Sequence, residues 1–138
     1  MAAWAVAPRA VAAWAVAAGL VLAGCGASER SQVQSKVEQF ARAAAGHDYK
    51  TICDQVLAPG LLARLAAGGI PCEQAMQIGL RRVQSPTINI GRVTISGENA
   101  SVITLSGARG QLSSLQSIQL VKTSNGWRIN SLGSPVAK

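Results

Sequence analysis

Three cysteines, one histidine and six carboxylates are the side chains of this 138-residue sequence with chemistry to offer. Cys53 and Cys72 stand apart from Cys25, which follows a long apolar run. A metal centre would need three or four ligands. His47 is the sole histidine and no Cys-x-x-Cys spacing occurs, so the sequence supplies no metal or redox set, and no cofactor is expected. His47, Asp48 and Tyr49 are consecutive and could act as a base pair with a hydroxyl beside it. The preferred reading is plainer: a surface imidazole, a helix N-cap and a ring packed with its tip in water. Glu98 sits among Ser96, Gly97 and Asn99 and reads as a solvated turn carboxylate. No Ser-His-Asp order, phosphate loop or dinucleotide fingerprint is present.

The residues before Cys25 decide where that chemistry takes place. Met1 to Arg9 is a charged start, and Ala10 to Ala23 holds only Ala, Val, Trp, Leu and Gly. As a helix the run would reach about 21 Å, short of the roughly 30 Å hydrocarbon core. A secretory signal over 1–24 is therefore expected in preference to a permanent span. The run ends in Leu22-Ala23-Gly24-Cys25, which resembles the lipobox of bacterial lipoproteins: a branched apolar residue, two small residues, then Cys. The resemblance implies cleavage between Gly24 and Cys25, with a diacylglycerol thioether on the Cys25 sulfur. Two or three acyl chains anchor a protein stably. The expected address is the extracytoplasmic face of a bacterial cell membrane.

Export changes the reading of the other cysteines. Outside the cytoplasm an even pair favours a Cys53–Cys72 disulfide over two buried free thiols. It would close a loop of about 20 residues, worth about 3 kcal/mol against the unfolded chain.

Past a lipidated tether over 25–32, one domain is expected over 33–138. Val33, Val37, Phe40, Ala41 and Ala44 recur on one helix face, with Gly46 suited to the C-terminal cap and Asp48 to the next N-cap. A second helix would carry Ile52, Cys53, Val56 and Leu57 inward and stop before Pro59. A short helix around Leu61, Leu62 and Leu65 follows, and another opens at Pro71 with Cys72, Ala75, Met76, Gly79, Leu80 and Val83 on one face. From Pro86 the period becomes two. Ile88 and Ile90, then Val93 and Ile95, require a bulge at Gly91-Arg92 to share a face. Strands over 100–105 with Val102, Ile103 and Leu105, around Ile118–Val121, and from Trp127 to Leu132 complete the pattern. A Gly-rich loop spans 106–114 and an Asn125-Gly126 type I′ turn joins the last two strands. The fold class is α+β: N-terminal helices on a curved antiparallel sheet of about four strands.

This layout resembles the nuclear transport factor 2-like (SnoaL-like) superfamily, in the small lipoprotein form common in actinobacteria. The carrying residues are the Val33–Ala45 helix, Gly46-His47-Asp48-Tyr49, Pro71-Cys72-Glu73-Gln74-Ala75, and the hairpins ending in Asn125-Gly126-Trp127-Arg128-Ile129. The resemblance implies a conical pocket between helices and sheet, used as enzyme site, binding cavity or partner interface. Isomerases and cyclases of the superfamily need a pocket Asp or His, and the strands here carry neither. A non-enzymatic protein is expected, binding an apolar small molecule or a cell-envelope protein or polymer. Candidate pocket residues are Phe40, Tyr49, Met76, Leu80, Trp127 and Ile129. The competing reading is an isomerase or cyclase using Tyr49, His47 and Asp48. A formal charge of +7 is spread among many elements without stacking aromatics, so nucleic acid is not an expected partner.

Overall fold

The structure, a computed structural model, describes residues 25–136. The leader assigned to 1–24, with its cleavage site after Gly24, lies outside the described residues. Among these residues no helix is long and apolar enough to cross a membrane.

Helix α1 runs from Cys25 to Ala45. Its buried face is Val33, Val37, Phe40, Ala43 and Ala44, a helical stripe laid on the sheet. The helix starts eight residues before Val33, so the segment read as a tether is helical. Nothing in 25–32 breaks a helix, and the sheet holds its early turns: Arg30 donates to the Val93 carbonyl at 2.9 Å and Glu29 pairs with Lys122. At the far end His47, rather than Gly46, takes the left-handed conformation (φ 55°), and the Asp48 N–H bonds the Ala43 carbonyl at 2.8 Å.

Helix α2 (Tyr49–Thr51) is capped by Asp48 and widens at once into a π-helical turn over Ile52–Val56. The Leu57 N–H closes that turn on the Ile52 carbonyl at 3.0 Å. Ile52, Cys53, Val56 and Leu57 are all buried, as their spacing requires. The chain then lies parallel to the last strand, with Leu57 bridging Ile129 and the Ala58 N–H bonding the Ile129 carbonyl at 2.7 Å. That contact covers part of an otherwise open sheet edge. Helices α3 (Pro59–Ala67) and α4 (Cys72–Leu80) follow, and neither contains a fully buried residue.

The sheet is a four-stranded antiparallel meander in the order β1 (Thr87–Ser96), β2 (Asn99–Gly107), β3 (Ser114–Thr123), β4 (Gly126–Pro135). The register shift between Ile90 and Val93 falls at Gly91-Arg92 and brings all four β1 apolar residues to the helix side. Glycine suits the bulge, since a Cβ at Gly91 would stand 3.1 Å from the Ile103 carbonyl oxygen and press on the neighbouring strand.

Two strand details depart from the sequence reading. On β2 the inward residues are Ala100, Val102 and Thr104, while Leu105 faces out and is 41% exposed. Strict alternation overrides hydropathy here, and the buried Thr104 hydroxyl is satisfied by Ser106 Oγ at 3.1 Å. In the last hairpin Thr123 pairs with Gly126, so Ser124 and Asn125 make the turn and Gly126 (φ 91°) is the left-handed residue after it. That is a one-residue displacement from the expected Asn-Gly turn.

Candidate functional site

The core proper, built on Val33, Val37, Ile52, Val102, Leu120, Trp127 and Ile129, lies under the first half of α1. Toward the other end of the sheet the helices part and leave a cavity of about 440 Å³. That volume falls in the range of small-molecule sites, about 300–1,000 Å³. Phe40 and Ala44 reach it from α1. Met76, Gly79, Leu80 and Val83 form a second wall, at the spacing of one helix face. The sheet contributes Ile88, Ile118 and Leu132. Thr87, Ser106, Gln111, Ser114 and Gln116 supply hydroxyls and amides, and Leu112, which is 96% exposed, stands at the mouth.

No Asp, Glu, His, Lys or Arg is among the described lining residues. The wall can exclude water from an apolar body and offer neutral hydrogen bonds, and it holds no ionisable group to take or give a proton. Gly133 shapes the floor: at φ 60° it is left-handed, and any Cβ there would collide with the Gln116 side chain.

Of the six candidate pocket residues, Phe40, Met76 and Leu80 stand in this wall. Trp127 and Ile129 do not; they are 2% and 0% exposed in the packed core beneath α1. Tyr49 is also absent from the wall and sits on α2, its ring 6.0 Å from that of His47. The strand positions that line the cavity are instead Ile118 and Leu132. Irregular register between β3 and β4 allows Leu132, three residues after inward-facing Ile129, to face the same side. That odd spacing is the signal in the sequence from which Leu132 could have been found.

His47 and Asp48 are both exposed and do not line the cavity. The Asp48 carboxylate accepts the Thr51 N–H at 3.0 Å, so it caps α2 rather than orienting the imidazole. Hydrogen bonding from Thr51, through its side chain first and its N–H second, holds the Asp48 carboxyl below the ordinary carboxylate range.

Cys53 and Cys72 form a disulfide with Cα atoms 6.0 Å apart. It joins the π-helical turn to the first residue of α4, and so ties one cavity wall to the core. Among the described residues no group of three or more His, Cys, Asp or Glu is placed to hold a metal ion.

No family model matches the chain, and no curated protein matches it. Solved structures do match its fold. An NTF2-like protein from Streptomyces avermitilis, named as a "putative dehydratase", superposes with a TM-score of 0.55 at 17% identity, over 81% of this chain and 99% of its own. An NTF2-like protein of unknown function from Shewanella baltica does so with a TM-score of 0.58 at 12% identity, over 82% and 99%. Identities this low speak to the backbone alone. The domain has the NTF2-like α+β fold, with four helices on a four-stranded open sheet.

Proposed function

We propose that this domain binds an apolar small molecule without transforming it, in the cavity between α1, α4 and the sheet. We further propose that a lipid on Cys25 holds it at the outer face of a bacterial membrane. The observation that carries the binding reading is the cavity of about 440 Å³ walled by Phe40, Met76, Leu80, Ile118 and Leu132, with no charged side chain among its described lining residues. Apolar walls with a few neutral polar groups favour retention of a ligand. The anchor reading rests on Leu22-Ala23-Gly24-Cys25 behind an apolar run. Phe40 and Ala44 lie about 22–28 Å along α1 from Cys25, so a cavity carried by that helix opens far from the proposed attachment point.

Native mass spectrometry of the protein purified from its host tests the binding reading. A co-purifying small molecule is expected, and it should be lost from Gly79→Trp. Gly79 lies in the cavity wall with nothing within 4 Å of an added Cβ, so a bulky ring can be introduced at the wall without a clash at its first atom. A consistently bare mass would remove the proposal. For the anchor, labelled palmitate should enter the native protein and not Cys25→Ser, whose membrane fractionation should collapse.

The name of the Streptomyces neighbour favours a second reading, an enzyme that eliminates water. Such a reaction needs a proton acceptor at the substrate, and His47, Asp48 and Tyr49 stand outside the cavity wall. The binding reading fits this wall better.

A further inference from the structure

Three arginines adjoin residues that line the cavity; none is itself in the wall, and none has a described counter-charge. Arg81 and Arg82 follow α4 between the lining residues Leu80 and Val83, and Arg109 lies between the lining residues Ala108 and Gln111. All three are exposed, and no described carboxylate pairs with any of them. The two segments are held together: the Arg109 N–H bonds the Gln84 carbonyl at 2.8 Å, and Gln111 Nε2 donates to the Arg82 carbonyl at 3.4 Å.

Four of the chain's six carboxylates are engaged elsewhere. Glu29 pairs with Lys122 at the α1 N-terminal end, where the Lys122 N–H also bonds the Glu98 carbonyl. Glu38 pairs with Arg42 at 3.8 Å, Asp54 with Lys50, and Asp48 caps α2. Glu73 is in the first turn of α4, at the opposite end of that helix from Arg81. An uncharged apolar interior therefore opens between two hydrogen-bonded segments that carry exposed arginines, with Leu112 exposed beside it.

From this juxtaposition we infer that the ligand is an anionic amphiphile. Its hydrocarbon tail occupies the cavity and its carboxylate or phosphate head rests on Arg81, Arg82 and Arg109. The inference rests on the cavity-binding reading and adds the head-group chemistry. Guanidinium groups suit such heads because their N–H forks match two oxygens of a carboxylate or phosphate. Neutral walls would leave the head no counter-charge inside and so favour one orientation of the amphiphile, tail inward. An added bilayer is not required, since the cavity lies toward the C-terminal half of α1, away from Cys25.

The test compares oleate, 1-oleoyl-lysophosphatidate and oleyl alcohol, three probes with the same tail, by titration calorimetry on the full chain at low salt. An anionic probe should bind about tenfold more tightly than the alcohol, and added salt should shrink the difference. Either anionic head supports the inference, and the tighter one identifies it. In Arg81→Ala/Arg82→Ala/Arg109→Ala the preference should vanish while alcohol binding persists, and in Gly79→Trp all three probes should fail. Equal binding of alcohol and anions by the native chain overturns the inference and leaves the cavity reading standing. Failure of every probe overturns both. Undiminished anion binding by Gly79→Trp, or binding of that variant to phosphatidylglycerol vesicles as tight as the native chain's, assigns the arginines to surface adsorption and also overturns it.

Discussion

Replacing Cys53 and Cys72 together by alanine removes a cross-link whose ends are 19 positions apart. Loop-closure entropy for about 20 residues gives about 3 kcal/mol of lost stability. A domain of this size loses about 4 °C of melting temperature per kcal/mol, so a drop of about 12 °C is expected. The loss should be concentrated in α4. That helix has no fully buried residue; the disulfide at its first residue and the partial burial of Met76 and Leu80 hold it to the core. Hydrogen exchange should therefore quicken over 72–83 well before the sheet opens, and ligand retention should fall with it. Thermal melts read by far-UV circular dichroism and by Trp127 emission measure the global term. Trp127 is the sole indole beyond residue 24 and is 2% exposed. Cys53 is itself buried, so the reduced native protein is the proper companion, separating the cross-link from the lost side-chain packing. A double variant melting within about 3 °C of the oxidised native protein would refute the entropy argument. Unchanged exchange over α4 would refute the claim that the bridge holds the cavity wall.

Gly79→Ala should raise stability by about 0.5–1 kcal/mol, since its backbone is not left-handed and the new methyl meets nothing within 4 Å; a fall in melting temperature would contradict this. Ile129→Ala, at a fully buried site facing Leu120, should cost about 2–5 kcal/mol in urea unfolding, and a loss below about 1 would show the site is looser than described. Thr104→Val should cost no more than about 1 kcal/mol, because its partner Ser106 is part-exposed and can turn to water. Asp48→Ala should melt lower than the native protein at neutral pH. The folded carboxyl lies below its ordinary 3.8, so its contribution is present above that pH and lost as acid carries the solution through the folded value. The gap between native and variant should close on acidification, and a constant gap down to strong acid would exclude the cap as its source.

Much of this molecule follows from local rules that a one-dimensional string obeys. The Val33–Val37–Phe40–Ala44 spacing sets which face of α1 is buried, and the parity break at Gly91-Arg92 demands the bulge. The pairing of Cys53 with Cys72 follows from counting, once export is granted. Asp48 as a cap, and the change from period 3.6 to period 2 at Pro86, are equally local. Apart from the cysteine pair, 19 positions apart, each involves residues within a few positions of one another, so distant packing has little hold on it.

The cavity is a different matter. Phe40, Met76 and Leu80 share it with Ile118 and Leu132 because helices far apart in sequence diverge over one end of a sheet. Trp127 and Ile129, equally apolar and facing the same side, fall under the crowded end and become core. Hydropathy says that a side chain leaves water; it does not say whether another side chain or an empty space will meet it. On β2 the same limit put Thr104 inside and Leu105 out, because pairing on both sides fixed the alternation. The segments carrying Arg81, Arg82 and Arg109 are distant in the sequence, and only tertiary packing brings them together, through the Arg109 N–H on the Gln84 carbonyl and the Gln111 amide on the Arg82 carbonyl. Burial by type is a property of residues, whereas vacancy and proximity are properties of the whole fold.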